Sequence, residues 1–319
     1  MPRPIMLSIA GDSGSGKTTI TRGVVRVLGE EKVTHFCADD YHRYDRRQRA
    51  ERGITPLDPE CNYIDVLSCD IRHLRHNEAI LKPVYRHADG TFGPPVYMSP
   101  ARFVVAEGLL INHTAELREM FDIRVYLNPP EELRRRWKVA RDCSRRGYST
   151  GQVLTELDRR ERDSEAYIRP QRHHADIVLS FMPGRSQEPD QLDAHLFLRD
   201  SLPHPDLAGV VGNGADDDLT LTEHSGEQEL RIPGTLSTYA EMRPQPFRRR
   251  AAKGKTNPGE RQSGDRRASD PAKLGKRLLR AMSTQPPPHS CSESGKVHEP
   301  RVRRLVVLYI RPRLSPGGQ

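Results

Sequence analysis

Eight residues near the N-terminus, Gly11-Asp12-Ser13-Gly14-Ser15-Gly16-Lys17-Thr18, have the types and spacing GxxxxGK[ST] of a phosphate-binding loop. Glycines at this spacing let consecutive backbone N–H groups curl around phosphate oxygens. A helix opening at Lys17 adds the positive end of its dipole. Lys17 would reach the β- and γ-phosphates, and the Thr18 hydroxyl would ligate Mg²⁺. The alternative is an ordinary Gly/Ser turn. The apolar run Ile5–Ala10 before the loop and the helical spacing after it are the context that a nucleoside-triphosphate site demands.

Three other segments carry chemistry. Phe103-Val104-Val105-Ala106-Glu107-Gly108 reads as a buried strand ending in one carboxylate, so Glu107 is a candidate for a Mg²⁺-linked or water-orienting acid. The run Cys37-Ala38-Asp39-Asp40-Tyr41-His42-Arg43-Tyr44-Asp45-Arg46 follows another strand. Two carboxylates at the carboxyl end of a parallel strand sit where α/β sheets place their chemistry. One of them could take a proton from a hydroxyl as its oxygen attacks a γ-phosphate. His42, Arg43 and Arg46 are expected as cationic donors beside it. On the helical stretch Glu131–Arg146, Lys138, Arg141, Asp142 and Arg145 fall at i, i+3, i+4 and i+7, with Arg146 at the edge of that face. Four cations around one carboxylate suit an element closing over phosphates, with Asp142 near the metal. The plainer reading of the same face is a solvated helix laced with i,i+4 pairs.

The elements that must position these residues alternate. Strand-like runs at Ile5–Ala10, Val33–Ala38, Phe103–Ala106, Ile123–Leu127 and Ile177–Phe181 are separated by stretches of helical spacing at Thr18–Leu28, Ile64–His76, Glu131–Arg146 and Gln152–Asp163. This pattern predicts an α/β fold, a mostly parallel sheet with helices on both faces, over residues 1–183. Leu192–Leu198 and Leu219–Ile232 read as short strands separated by the turn Gly212–Asp218, so residues 184–240 are expected as a β-rich extension. Residues 241–319 are basic and of low complexity, include Pro286-Pro287-Pro288, and are expected to be disordered apart from a strand-like run at Val302–Ile310.

The 319 residues are 35% hydrophobic and 29% charged, with a net charge of +8. That charge is not uniform. Residues 241–319 hold 19 Lys and Arg against 6 Asp and Glu, which leaves 32 against 37 in the first 240. The basicity of the tail therefore says nothing about what the body binds. No apolar run reaches the ~18 residues of a membrane span, and five scattered cysteines without a CxxC pair argue against a disulfide framework or a structural zinc site. A cytoplasmic protein with no membrane partner is expected.

Taken together, GDSGSGKTT, ADDYHRYDR, LDPECNYID (Leu57–Asp65), KPVYRHADG (Lys82–Gly90), VVAEGLL (Val104–Leu110) and WKVARDCSRRGYS (Trp137–Ser149) resemble phosphoribulokinase in order and spacing, over about residues 5–200. The resemblance implies a P-loop kinase that uses ATP and Mg²⁺ to convert D-ribulose 5-phosphate to ribulose 1,5-bisphosphate in the reductive pentose phosphate cycle. It implies ATP binding by Gly11 to Thr18 and Thr19, and Asp39 as the base that activates the 1-hydroxyl. His42, Arg46 and Arg146 would hold the sugar phosphate, and Tyr85 and His87 would line the sugar pocket. Lys138 and Arg141 would neutralise the transferring phosphoryl group, with Asp142 and Glu107 as acids supporting metal and base. A homodimer is common among similar family members. Plant-type members carry in the phosphate loop a cysteine that pairs with one placed like Cys37; here that position is Ser15, so a redox switch is not expected. Two other readings stand beside this one. A uridine-kinase-like nucleoside kinase would share the loop but have little use for Arg46, Arg141 and Arg146 together. A nucleic-acid-associated NTPase would use the basic tail as an anchor, but that tail lacks stacking aromatics.

Overall fold

The computed structural model describes residues 2–183, 192–201, 219–224 and 227–233. The chain divides into two units, Met1–Thr238 with Gly295–Gln319 and Tyr239–Ser294, and the second lies wholly outside the described residues. The expected turn Gly212–Asp218, the low-complexity tail and the run Val302–Ile310 lie outside them too.

Ten strands are described: β1 (Ile5–Gly11), β2 (Val33–Cys37), β3 (Ile80–Arg86), β4 (Thr91–Met98), β5 (Phe103–Gly108), β6 (Ile123–Leu127), β7 (Ile177–Pro183), β8 (Leu192–Arg199), β9 (Thr220–His224) and β10 (Glu227–Ile232). Between them run the helices α1 (Lys17–Leu28), α2 (Arg46–Arg52), α3 (Ile64–Arg75), α4 (Ala115–Glu119), α5 (Glu131–Arg146) and α6 (Thr150–Arg159), followed by helical turns from Glu161 to His174. Eight strands form one sheet in the order β2-β5-β1-β6-β7-β8-β10-β9. The pairs from β2 to β7 are parallel, and those from β7 to β9 are antiparallel. The expected mostly parallel sheet and its β-rich extension are thus one continuous sheet.

Strand alternation divides the core in two. Leu7, Ile9, Val105, Val125 and Leu179 face one side, where Ile20, Val24 and Leu28 of α1 cover them. Met6, Ala10, Val104, Ala106 and Val178 face the other, where Leu67, Ile71 and Leu74 of α3 pack. Spacing of i, i+4 and i+8 in α1, and of i, i+4 and i+7 in α3, puts each helix's apolar residues on one stripe, and each fully buried aliphatic side chain contributes roughly 1.5–3 kcal/mol.

Three local departures from the sequence reading matter for the site. β2 stops at Cys37 because Ala38–Tyr41 winds into a 3-10 turn that carries Asp39 and Asp40. The helix expected from Gln152 begins at Thr150, where Ser149 and Gln152 form a reciprocal capping box, and ends at Arg159. The β3–β4 hairpin was not expected. Pro83, Gly93, Pro94 and Pro95 interrupt its alternation, and a register shift between Lys82 and Val84 marks a bulge. Ahead of the bulge, ordinary strand alternation leaves Leu81 exposed and turns Lys82 inward, 4% exposed.

Candidate active site

The phosphate loop joins β1 to α1. Gly14 and Gly16 sit at φ 88° and 93°, in the left-handed region that glycine enters without a steric cost. Lys17 Nζ donates to the carbonyls of Gly11 (2.8 Å) and Asp12 (3.1 Å), which holds the ammonium within the loop. α5 lies directly against this loop: a Cβ on Gly14 would meet Lys138 Cβ at 3.0 Å and the Arg134 carbonyl at 3.3 Å. Arg134, buried and braced by the two bonds it donates to Glu131, donates to the Ser13 carbonyl at 2.8 Å. The expected nucleotide loop and the expected lid helix are therefore in contact. Thr18 and Thr19 are exposed in the first turn of α1. Ser15 is buried, with no partner for its hydroxyl among the described residues.

Asp39 and Asp40 have different surroundings. Asp40 accepts from Lys82 Nζ and, at 2.9 Å, from the Tyr85 backbone N–H, so the hairpin holds both of its oxygens. Asp39 Oδ1 accepts one bond, 2.8 Å from the Leu109 N–H, and its Oδ2 takes none from a described residue. Asp39 lies in a small cleft with Asn62, Leu109 and Leu110. The free carboxylate is the one suited to receive a proton.

His42 departs from the cationic donor expected at its position. It is buried, and burial pulls its pKa down to about 4, against the pull of Asp39 and with Arg49 adding repulsion. Its Nδ1 lies 2.7 Å from Asn62 Oδ1. The Asn62 amide nitrogen donates to the Pro56 and Asp58 carbonyls, which fixes the oxygen toward His42. The neutral ring therefore carries its proton on Nδ1, and Nε2 presents a lone pair. Arg43 also departs from expectation: it is exposed and lies over the Tyr63 ring at 5.0 Å.

Cations nonetheless converge. Arg46, on the first turn of α2, donates to the His87 carbonyl at 2.6 Å. Tyr85, buried on β3, accepts from Arg49 at 2.5 Å and packs edge-on against both His42 and His87. The His87 side chain sits at the rim. Desolvation by its neighbours lowers its pKa, Asp39 opposes this, and Arg146 and Arg141 lower it further. Arg146 feels Arg141 and Arg46 in turn. On α5, Asp142 accepts from Lys138 Nζ (2.8 Å) and Arg141 Nε (2.8 Å), with Arg146 at 3.5 Å. Burial works against its charge, but the Arg141 and Lys138 bonds prevail and bring its pKa down to about 2. Lys138 is 3% exposed, and burial, with repulsion from Arg141, pulls it down to about 8 against the hold of Asp142. The side chain of Arg145 lies outside those described.

Glu107 is 3% exposed and pairs with Cys37 in the β2–β5 register. Oε1 lies 3.1 Å from His35 Nε2, and Oε2 is buried with no partner among the described residues. An orphaned carboxylate oxygen fits a cation. Asp142 does not fit the metal role expected of it, because both of its oxygens already accept from ammonium and guanidinium groups. No cluster of three acidic, His or Cys residues is found among the described residues. Cys37 is a free thiol, pushed well up by burial and by Asp39, Asp40 and Glu107.

Lys82, Arg49, Asn62, Arg134 and His35 escaped the sequence reading as site residues. Only Lys82 and Asn62 stood inside segments quoted for the resemblance, and none belongs to a spacing motif. What gives them a role is a partner distant along the chain.

Comparison with known proteins gives these residues a context. The chain is 39% identical over 185 residues to phosphoribulokinase of Synechocystis sp., covering 58% of this chain and 56% of that protein. It is 33% identical over 196 residues to the chloroplastic phosphoribulokinase of Spinacia oleracea, covering 56% and 49%. It thus spans about half the length of the curated relatives it matches. A uridine kinase of Brevibacillus brevis is 29% identical over 183 residues, 56% of this chain and 86% of that one. Among solved structures, phosphoribulokinase from Rhodobacter spheroides superposes with a TM-score of 0.56 at 19% identity, covering 73% of this chain and 91% of that chain, a likeness of fold. Residues 6–187, which contain the phosphate loop, Asp39, the hairpin and α5, match the family model itself, and this chain belongs to the Phosphoribulokinase / Uridine kinase family.

Proposed function

We propose that the chain is an ATP-dependent phosphotransferase acting on an alcohol, and that its acceptor is D-ribulose 5-phosphate, phosphorylated at the 1-hydroxyl to give ribulose 1,5-bisphosphate and ADP. The observation that carries this reading is that the cations Arg46, Arg141 and Arg146 converge with Asp39 about His87. Like charges held together in a partly buried site repel, and a phosphorylated acceptor relieves that repulsion with charge-assisted bonds. A neutral nucleoside would not.

In this mechanism the backbone N–H groups of Gly11 to Lys17 and the first turn of α1, including Thr18 and Thr19, cradle the ATP phosphates. The Thr18 hydroxyl and the free oxygen of Glu107 would hold Mg²⁺, which would supply charge neutralisation of the β- and γ-phosphates. Asp39 Oδ2 takes the proton of the 1-hydroxyl as that oxygen attacks. Lys138 and Arg141, kept together by Asp142, meet the charge that develops on the transferring phosphoryl group. Arg46 and Arg146 hold the sugar phosphate. His42, neutral with Nε2 as acceptor, orients a sugar hydroxyl, and Tyr85 and His87 shape the wall behind it. Such a product places the enzyme in the reductive pentose phosphate cycle.

ADP release measured with ribulose 5-phosphate, ribose 5-phosphate and uridine tests the reading. Turnover is expected with ribulose 5-phosphate and at least 100-fold lower kcat/KM with uridine. Preference for uridine, favoured by the near full-length match to a uridine kinase, would assign the nucleoside kinase activity instead.

A further inference from the structure

Asp12, the second residue of the phosphate loop, is 7% exposed and has three contacts that phosphate binding does not require. Its Oδ1 accepts from the Ser13 N–H at 2.6 Å. Its Oδ2 accepts from Ser164 Oγ and lies 3.4 Å from Arg134 Nη1. Ser164 is 2% exposed and opens a π-helical turn, Ser164–Ile168, inserted in the helical run after α6. Turns of this kind are rare and concentrate at functional sites.

The far end of this turn reaches the acceptor side. Ile168 packs with Leu57, Leu109 and Leu110. Gln171, 2% exposed, donates to the Leu109 carbonyl at 2.8 Å and to the Tyr167 carbonyl at 2.9 Å, and accepts from the Asn112 N–H at 3.0 Å. Leu109 in turn gives its N–H to Asp39. A second tether runs from Asp163, whose Oδ2 accepts from Thr55 Oγ1 at 2.5 Å, into the segment that leads to Asn62 and His42. Each link is buried or partly buried, and all but the Ser13–Asp12 and Gln171–Tyr167 bonds join residues well separated in the chain.

We propose that Ser164 is a positioning residue: through the π-helical turn it opens, it fixes the phosphate loop against the Leu109–Asn112 loop that holds the carboxylate of Asp39. Movement of Asp12 when phosphates fill the loop is then carried to the acceptor site, and each ligand improves the affinity for the other. The inference rests on Asp39 being the base and on the cleft beside it being the acceptor site.

The test is the affinity for the acceptor with and without a non-hydrolysable ATP analogue, in the full chain and in Ser164→Ala and Thr55→Val. The acceptor is ribulose 5-phosphate, or uridine if the wild type turns over uridine instead. That choice is made by wild-type turnover, so failure of the substrate reading is seen separately from failure of the coupling. The wild type is expected to bind acceptor about tenfold more tightly with the analogue present. Ser164→Ala should lose most of that gain and about tenfold in kcat, while each ligand alone binds within threefold of wild type. Thr55→Val, which cuts the other tether, should act in the same direction. A melting temperature near that of the wild type separates this effect from general destabilisation. Absence of any gain in the wild type, or an undiminished gain in both variants, overturns the proposal.

Discussion

Asp39 and Asp40 are neighbours in sequence with opposite fates, and the difference sets what each substitution does. Asp39→Asn should lower kcat by about 10²–10⁴ with little change in ATP affinity, because Asn keeps the shape and the bond from Leu109 but not the basicity. Asp40→Asn leaves the buried Lys82 ammonium without its counter-charge and should cost about 3 kcal/mol of stability, read as a lower melting temperature. The reverse pattern, with Asp40→Asn silent in stability and dead in turnover, would move the base by one residue. Lys138 gives a pH prediction. With its pKa drawn down from 10.5 to about 8, the folded chain binds fewer protons than the unfolded one between those values, so this group lets stability rise with pH across that window. Activity that needs the cation moves the other way, and kcat should fall as pH passes about 8. Asp142→Asn removes the charge that retains the Lys138 proton, so this alkaline limb should shift to lower pH by about one unit. An unmoved limb would show that another group controls it.

At the scale of elements, the site depends on how closely two strand ends approach. A Cβ on Gly108, at the end of β5, would lie 2.6 Å from Ala38 Cβ and 3.3 Å from Asp39 Oδ1. Glycine is therefore required there for space, with no positive φ involved. Gly108→Ala should push apart the ends of β2 and β5, cost about 1–3 kcal/mol by overpacking, and lower kcat at least tenfold through displacement of Asp39. Unchanged kinetics in a folded Gly108→Ala variant would show that the carboxylate tolerates that shift. The β3–β4 hairpin matters in the same way. Its first strand turns Lys82 inward to fix Asp40, which leaves Asp39 the acid that faces the cleft.

For the whole molecule, the strand order decides that these parts meet. β1 lies between β5 and β6, and β5 lies between β1 and β2. The carboxyl ends of β1, β2 and β5, which carry the phosphate loop, Asp39 and Glu107, therefore come out side by side, where open α/β sheets bind ligands. Every residue given a role above precedes β7. A chain ending at residue 242 should accordingly keep kcat per folded protein within a few-fold of the full chain and lose the excess of basic residues concentrated in 241–319. Loss of turnover in a soluble, folded truncation would give the tail a part in the reaction.

The phosphate loop, the five parallel strands and the polar face of α5 were legible in the sequence because each is a local pattern. Backbone geometry fixes the glycine spacing, burial on both faces makes near-continuous apolar runs, and a 3.6-residue period aligns Lys138, Arg141 and Asp142. What those residues do was not legible. The tertiary structure made His42 neutral, turned Arg43 onto Tyr63, chose the ion-paired reading of Asp142 over the metal one and distinguished Asp39 from Asp40. It also brought in Lys82, 42 residues from Asp40, and Ser164, 152 residues from Asp12. Charge state and freedom to react depend on burial and on the nearest partner in space, and no spacing rule within a segment encodes either.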